Sequence, residues 1–197
     1  KCLEMERELV ANELDHRIRN LFALVNGLVA LSAREDTAFG PLAKQLQRRF
    51  SALHKAHEFI HARGPVSEGT GSIQTLARTI LAPYEVDGRI VVQGDDTVLP
   101  DRLVTPLALV FHELATNSAK YGALASEDGL LSLRFRCADG RIRLSWREEG
   151  LPGNGSLTGN GGFGSKLLSL TVERQLKGKF WRTLTPKGLT CEIDVPA

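Results

Sequence analysis

Apolar residues recur along the first part of the chain with the spacing of an amphipathic helix. Residues 3–33 contain no proline and a single glycine, and their apolar side chains follow at alternating intervals of four and three. These positions are Leu14, Ile18, Leu21, Val25 and Leu28. The stripe approaches heptad spacing, which favours packing against a partner helix or a second copy of the same helix.

A second helical pattern follows a break that contains Gly40 and Pro41. The positions that mark this helix are Leu42, Leu46, Phe50, Leu53, His57 and Ile60. Residues 1–63 therefore predict a helical hairpin. Residues 64–72, GPVSEGTGS, combine a proline with three glycines and small polar residues, so a linker between two domains is predicted there.

Beyond the linker, helical and strand-like patterns alternate over residues 73–197, which predicts a second domain of mixed composition. Asp139 and Gly140 predict the turn of a hairpin between two strands of period two. Helices are predicted over 73–84, 100–121 and 165–177, and strands over 89–93, 131–136, 142–146, 179–184 and 190–195. The chain as a whole is expected to be α+β.

Charge and cysteine usage narrow the class of protein. The formal net charge is +2, with acidic and basic residues interspersed, so nucleic acid is not an expected partner. Cys2, Cys137 and Cys191 form neither a disulfide framework nor a zinc motif, which fits a reducing cytoplasm.

No apolar run approaches the ~20 residues of a membrane span. Because Lys1 already lies in a helical pattern without a cap, we expect a missing upstream segment.

The segment ELDHRIRN carries the first candidate for chemistry. His16 lies two residues from the nearest stripe positions, so at about 100° per residue its side chain is predicted to point into solvent. A solvated imidazole is largely neutral at pH 7, as attack on a phosphate requires. Asp15 can accept the ring proton, while Asn20 and Arg17 can bind the phosphoryl group or offset its charge. An ordinary surface histidine would show the same spacing.

The segment LVFHELATNSAKYGAL places polar residues within an otherwise apolar helix. His112, Glu113, Thr116, Asn117 and Lys120 recur at intervals of three and four, so several share one face. Unpaired buried polar groups cost roughly 1–3 kcal/mol each, so a cleft, a ligand or mutual pairing must compensate them. An amide oxygen suits Mg²⁺ and a nearby lysine suits phosphate, so Asn117 and Lys120 predict a metal–triphosphate pair. A helix capped by polar residues near a sheet edge is the alternative.

A glycine-rich stretch, GNGGFGSKLLSL, is the third candidate. Gly162 and Gly164 let backbone amides approach a phosphate closely, and the start of the following helix adds its positive dipole end. Ser165 and Lys166 can add side-chain donors, and Phe163 stands between the two glycines. The alternative is a flexible hairpin loop.

The fourth candidate is LSWREEGLP, at the end of a predicted strand. Glu148 can accept the exocyclic amine of adenine, and Gly150 would let the base come close. Trp146 can equally belong to the core, which is the usual place of an aromatic residue on a strand.

Taken together and in this order, the four segments resemble the HWE family of sensor histidine kinases, and the likeness extends over nearly the whole chain. The letters of the family name correspond to His112 in HELATN and to Trp146 and Glu148 in WREEGLP. The combination of HELATN, KYGAL and a later GFG, downstream of a helix bearing LDHR, is what makes the likeness specific.

The resemblance implies a Bergerat-type ATP-binding α/β sandwich after the helical hairpin. ELDHRIRN would be the phosphoacceptor box with His16 as acceptor. HELATNSAKYG, which runs from His112 to Tyr121, would be the N box, in which Asn117 holds Mg²⁺ and Glu113 orients a metal ligand or assists the transfer. GGFGSKLL would be the second glycine box, next to a lid loop that closes over the nucleotide.

The motifs of this chain differ from those of ordinary histidine kinases at two places. Glu148, Gly150 and Pro152 stand where those kinases have DxGxG, a replacement typical of the HWE group. Lys166 stands where relatives often carry arginine. Recognition of adenine by Glu148 and contact of Lys166 with phosphate therefore depend on how the site accommodates these two replacements.

The expected function is that of a sensor histidine kinase core. It would phosphorylate His16 from Mg-ATP and donate the phosphoryl group to an aspartate in the receiver domain of a response regulator. The hairpin would form half of a four-helix bundle in a homodimer, and the missing upstream segment would be a sensor domain. The alternatives are a phosphotransfer or scaffold protein with a degenerate ATP-binding domain and a Bergerat-fold serine protein kinase.

Overall fold

The computed structural model describes residues 18, 20–32, 39–61, 71–151, 163–185 and 188–197. The chain divides into two compact units, Lys1–His61 and Ala62–Ala197. Within the described residues, no helix combines the length and the apolar character that crossing a membrane requires.

The described part of the first unit is helical. Helix α1 covers 20–32 and helix α2 covers Gly40–His61. The ring of Phe22 on α1 lies 5.5 Å from that of His54 and 6.3 Å from that of His57, measured between centroids. Because Phe22 is near the start of α1 and the histidines are near the end of α2, the two helices run antiparallel. The buried residues of α2 are Ala43, Ala52, Ala56 and Phe59.

The second unit is built on a five-stranded mixed sheet with the order β1-β2-β3-β5-β4. Its strands are β1 Ile90–Gly94, β2 Leu130–Ala138, β3 Arg141–Glu149, β4 Lys179–Thr185 and β5 Gly188–Pro196. Among these five strands, β1 and β2 pair in parallel, and the other neighbours are antiparallel. The predicted hairpin turn joins β2 to β3, where Asp139 and Gly140 both have positive φ, as a tight hairpin requires.

Three α-helices accompany the sheet in the described part of the second unit. They are α3 Ile73–Leu81, α4 Asp101–Tyr121 and α5 Phe163–Leu170. Ser72 is the N-cap of α3, and its side chain accepts a hydrogen bond from the backbone N–H of Thr75 at 3.2 Å. Helix α4 connects β1 to its parallel neighbour β2, so this helix is the crossover of a βαβ unit.

Alternate strand residues form the core, as the period-two pattern predicts. The buried strand residues include Leu131, Leu133, Phe135, Ile142, Leu144, Trp146, Cys191, Ile193 and Val195. Of the intervening residues, Arg134, Arg136, Arg143 and Arg147 are exposed on the other face of the sheet, whereas Ser132, Ser145, Glu192 and Asp194 are half-buried. This arrangement confirms the α+β class.

The helix predicted over 165–177 has different bounds. Helix α5 ends at Leu170, and Thr171–Gln175 continue as one π-helical turn, which Leu176 closes by donating its N–H to the carbonyl of Thr171. Lys177, at φ 53°, then leaves the helical region. The hydrophobic spacing of this segment did not distinguish an α-helix that continues from one that widens into a π turn.

Candidate functional site

The polar stripe of α4 runs from the interior of the second unit to its surface. His112 and Glu113 are buried, at 7% and 5% exposure. Asn117 is half-buried one turn further on, and Lys120 and Tyr121 are exposed. Since Asn117 and Lys120 are three residues apart, they lie on neighbouring turns of the same face. The stripe therefore reaches solvent where an amide and an ammonium group can meet one ligand.

A tyrosine from a neighbouring element pairs with the inner part of this stripe. Tyr84 ends the short 3₁₀ turn Ala82–Tyr84 that follows α3. Its hydroxyl lies 3.2 Å from Nδ1 of His112 and 3.0 Å from Oγ1 of Thr116. A phenol can donate one hydrogen bond and accept another, so it can satisfy both partners at once. Mutual pairing, one of the compensations expected for buried polar groups, thus operates here.

Tyr84 is a site residue that the sequence analysis missed. It belongs to the tripeptide Ala-Pro-Tyr at the end of a helix, which has neither periodicity nor a chemistry-bearing motif. The one available signal was the buried polar stripe itself, because such a stripe demands a partner from another element. That signal does not say which element supplies the partner.

Trp146 and Glu148 form a buried hydrogen-bonded pair on β3. The indole N–H of Trp146 donates to Oε1 of Glu148 at 2.8 Å, and the backbone N–H of Ala123 donates to Oε2 at 2.8 Å. Trp146 is 1% exposed and Glu148 is 2% exposed. Each oxygen of the carboxylate thus already accepts a hydrogen bond from the protein. An adenine contact by Glu148 stays a prediction.

Three glycines on or near β3 and its neighbours stand at positions where a side chain would meet other atoms. A Cβ at Gly122 would overlap Oε2 of Glu148, and a Cβ at Gly188 would overlap the carbonyl oxygen of Glu148. Gly150, two residues beyond Glu148, has φ +70°, and a Cβ there would come within 3.0 Å of the carbonyl oxygen of Asp128. The close neighbour of Gly150 is thus the chain's own backbone, and the approach of a base to Gly150 stays a prediction.

Helix α5 begins at Phe163 and contacts α4. Gly164 and Ser165 are half-buried there, and Lys166 is exposed on the first turn. Gly162 and the side chain of Phe163 lie outside the described residues. Helices α4 and α5, which carry the N box and the second glycine box of the resemblance, are thus neighbours in the second unit.

The candidate phosphoacceptor is largely outside what the structure describes. Asp15, His16 and Arg17 lie outside the described residues. Asn20 is described, and it is exposed on α1. The roles predicted for all four residues stay predictions.

The described side chains suit a metal ion that binds together with substrate phosphates better than a metal ion that the protein holds alone. In the described part of the chain, no group of three or more His, Cys, Asp or Glu side chains is placed to bind a metal. Mg²⁺ commonly keeps several waters and takes one or two protein ligands together with substrate phosphates. The half-buried amide of Asn117 fits that mode of binding, and its role as a metal ligand stays a prediction.

Comparison with known proteins gives the family. The sequence model of the HWE histidine kinases matches residues 13–96. A blue-light-activated histidine kinase from Rhizobium johnstonii is 35% identical over 199 residues, which cover 100% of this chain and 56% of that protein. The chain belongs to the HWE histidine kinases. The resemblance drawn from HELATN and WREEGLP is thereby confirmed.

Two further likenesses agree with the HWE assignment. Blue-light-activated histidine kinase 1 from Erythrobacter litoralis is 32% identical over 206 residues, covering 98% of this chain and 54% of that protein. The chain thus spans about half the length of the curated relatives it matches. The histidine kinase domain of a blue-light-activated kinase from Erythrobacter litoralis has a TM-score of 0.62 at 21% identity, with 94% of this chain and 93% of that chain covered. That likeness shows the fold.

Proposed function

We propose that this HWE kinase core uses Mg-ATP to phosphorylate His16 and then donates the phosphoryl group to an aspartate of a response regulator. Family membership supports the kinase activity. The observation that carries the nucleotide part is the stripe of α4, which reaches solvent with the amide of Asn117 and the ammonium group of Lys120 on one face.

The nucleotide would bind along the C-terminal half of α4. Lys120 would neutralise phosphate charge, and Asn117 would ligate Mg²⁺, which supplies charge neutralisation at the phosphates when bound. Ser165 and Lys166 would donate to phosphate oxygens from the first turn of α5, whose positive dipole end favours an anion. Exposed Tyr121, next to Lys120, would contact the nucleotide from the same helix end.

In the transfer step, a ring nitrogen of His16 would attack the γ-phosphorus in line. A nitrogen–phosphorus bond forms, the bond from phosphorus to the bridging oxygen breaks, and ADP leaves. Asp15 would hold the ring proton, while Arg17 and Asn20 would stabilise the transferred group. Buried Glu113, four residues before Asn117, would orient the metal ligand. The protein would contribute positioning and charge neutralisation.

The experiment for the acceptor is autophosphorylation with ATP labelled at the γ-phosphate. His16→Ala is expected to abolish labelling and to leave ATP binding unchanged. The matched control is His61→Ala, an exposed histidine at the end of α2, which should be labelled like the wild type. Full labelling of His16→Ala would show that the acceptor is another residue. The product should lose its label in acid, and an acid-stable product would favour a serine kinase.

The experiment for the metal ligand is titration of Mg-ATP into Asn117→Ala. Binding should be lost while the thermal unfolding transition is kept, because the side chain is half-buried and on the surface side of α4. Ala119→Ser, an exposed change two residues along, serves as control and should bind normally. Tight Mg-ATP binding by Asn117→Ala would refute this role.

The proposed homodimer is supported by a stripe on α1. Its leucines are between 54% and 59% exposed and recur at intervals of three, four and three, which is the heptad spacing of a helical bundle. They are Leu21, Leu24, Leu28 and Leu31. Light scattering should give a dimer for the wild type and a monomer for the double variant Leu24→Glu, Leu28→Glu. A monomeric wild type would contradict the proposal. The receiver domain and an upstream sensor are the other proposed partners.

A further inference from the structure

The carboxylate of Glu148 is placed where it can shape the nucleotide site without touching the nucleotide. We propose that Glu148 is a positioning residue that anchors the C-terminal end of α4 to β3, and that the nucleotide base is not read by this carboxylate. The inference rests on the nucleotide binding proposed above. It reassigns one residue of that site and gives Trp146 a role in holding it.

Both oxygens of the Glu148 carboxylate already accept hydrogen bonds from the protein. Trp146 and Ala123 each donate one N–H to Glu148, at 2.8 Å in both cases, and one donor approaches each oxygen. Both donors are themselves in the interior of the second unit, and the carboxylate is almost wholly withdrawn from solvent. A base would have to reach a group that faces the protein, whereas a reading group should face the ligand.

The Ala123 donor lies at the C-terminal end of α4. Ala123 follows Gly122 directly after the last turn of α4, which carries Lys120 and Tyr121. A carboxylate fixed on a β-strand thus binds the backbone immediately beyond the two residues proposed to contact the nucleotide. Moving that backbone would move both side chains, so a defect at Glu148 is expected to reach the nucleotide indirectly.

Further hydrogen bonds hold the same end of α4. Gly122 donates its N–H to the carbonyl of Ser118 at 2.9 Å, and Leu124 donates to the hydroxyl of Ser118 at 3.3 Å. Gly122 also has to lack a side chain, because a Cβ would overlap the Glu148 carboxylate. Ser118, Gly122 and Glu148 therefore form one fitted junction between α4 and β3, and a junction of this kind serves position rather than recognition.

The test compares two nucleotides that differ at the group a reading carboxylate would contact. ATP has an exocyclic amine, which donates to a carboxylate, whereas inosine triphosphate has a carbonyl oxygen there, which does not. Glu148→Gln preserves the shape of the side chain but leaves one oxygen for two N–H donors. Glu149→Gln is the matched control, since Glu149 is the adjacent residue of β3 and is exposed.

If Glu148 positions α4, Glu148→Gln should weaken both nucleotides by the same factor, so that the ratio of their dissociation constants stays at the wild-type value. Trp146→Phe should act in the same direction, and Glu149→Gln should change neither constant. Loss of ATP affinity alone, with unchanged affinity for inosine triphosphate, would show that Glu148 reads the base and would overturn the inference. Wild-type affinity for both nucleotides in Glu148→Gln would also overturn it.

A second measurement needs no nucleotide. Amide hydrogen exchange at Ala123 should become faster in Glu148→Gln by about tenfold or more, because its acceptor is weakened, and it should be unchanged in Glu149→Gln. Unchanged exchange in Glu148→Gln would refute the anchoring. If the wild type bound neither nucleotide, the proposed function would fail, while the exchange result would still decide whether Glu148 anchors the helix end.

Discussion

Removing one hydroxyl group, by Tyr84→Phe, tests the pairing that holds the inner part of the α4 stripe. The ring is kept, so packing changes little, and the contacts of the hydroxyl with Nδ1 of His112 at 3.2 Å and Oγ1 of Thr116 at 3.0 Å are lost. Each intramolecular hydrogen bond contributes about 0.5–1.5 kcal/mol net, and more is lost when the partner stays buried. Because Tyr84 is itself half-buried, we expect a total loss of about 1–2 kcal/mol.

The assay is urea unfolding of the whole chain, followed by a signal from the second unit such as Trp146 fluorescence. For a domain of this size, the expected loss corresponds to a fall in melting temperature of about 3–8 °C. Tyr121→Phe is the control, because Tyr121 is 59% exposed and its change should stay within about 0.5 kcal/mol. If Tyr84→Phe were as stable as Tyr121→Phe, the hydroxyl would contribute nothing and the interpretation of this cluster would be wrong.

Three further predictions concern stability and reactivity. Ser72→Ala removes the N-cap of α3 and should cost about 1 kcal/mol in urea unfolding; no loss would mean that the cap is dispensable. Leu133→Ala, at a buried β2 position, should cost about 2–5 kcal/mol, and exposed Leu130→Ala should cost much less; equal losses would contradict the assigned core. Burial raises the pKa of the Cys191 thiol from 9.0 to about 12. This shift stabilises the folded state below pH 9, and the stabilisation is lost as the pH rises from 9 to 12. Iodoacetamide at pH 9 should therefore modify half-buried Cys137 before Cys191, and mass spectrometry of the peptides would show the reverse order if this were wrong.

The strand pattern was well predicted because it depends on local alternation. Leu131, Leu133 and Phe135 are buried as the period of two requires, and Asp139 and Gly140 make the expected turn. The polar stripe of α4 was likewise visible, since helical spacing alone places its members on one face. These features need no knowledge of distant parts of the chain.

The contacts that complete the site depend on distant parts of the chain, and local patterns do not report them. Tyr84 is 28 residues from His112, and Ala123 is 25 residues from Glu148. The sequence predicted Glu148 as a group for adenine because its type and place suited that chemistry, but whether a carboxylate faces a ligand or the chain depends on tertiary packing. The parallel pairing of β1 with β2 is of the same kind.

The place of β5 in the sheet has a consequence for biosynthesis. Although Gly188–Pro196 follow the other strands of the sheet in the sequence, they lie between β3 and β4, and among the described residues β4 pairs with no strand but β5. On the ribosome, β1, β2 and β3 can associate early, whereas β4 emerges without a strand to join until β5 has left the exit tunnel. A nascent chain stalled before Gly188 would therefore expose an open edge at β3, where we expect it to be most vulnerable to aggregation and to chaperone capture.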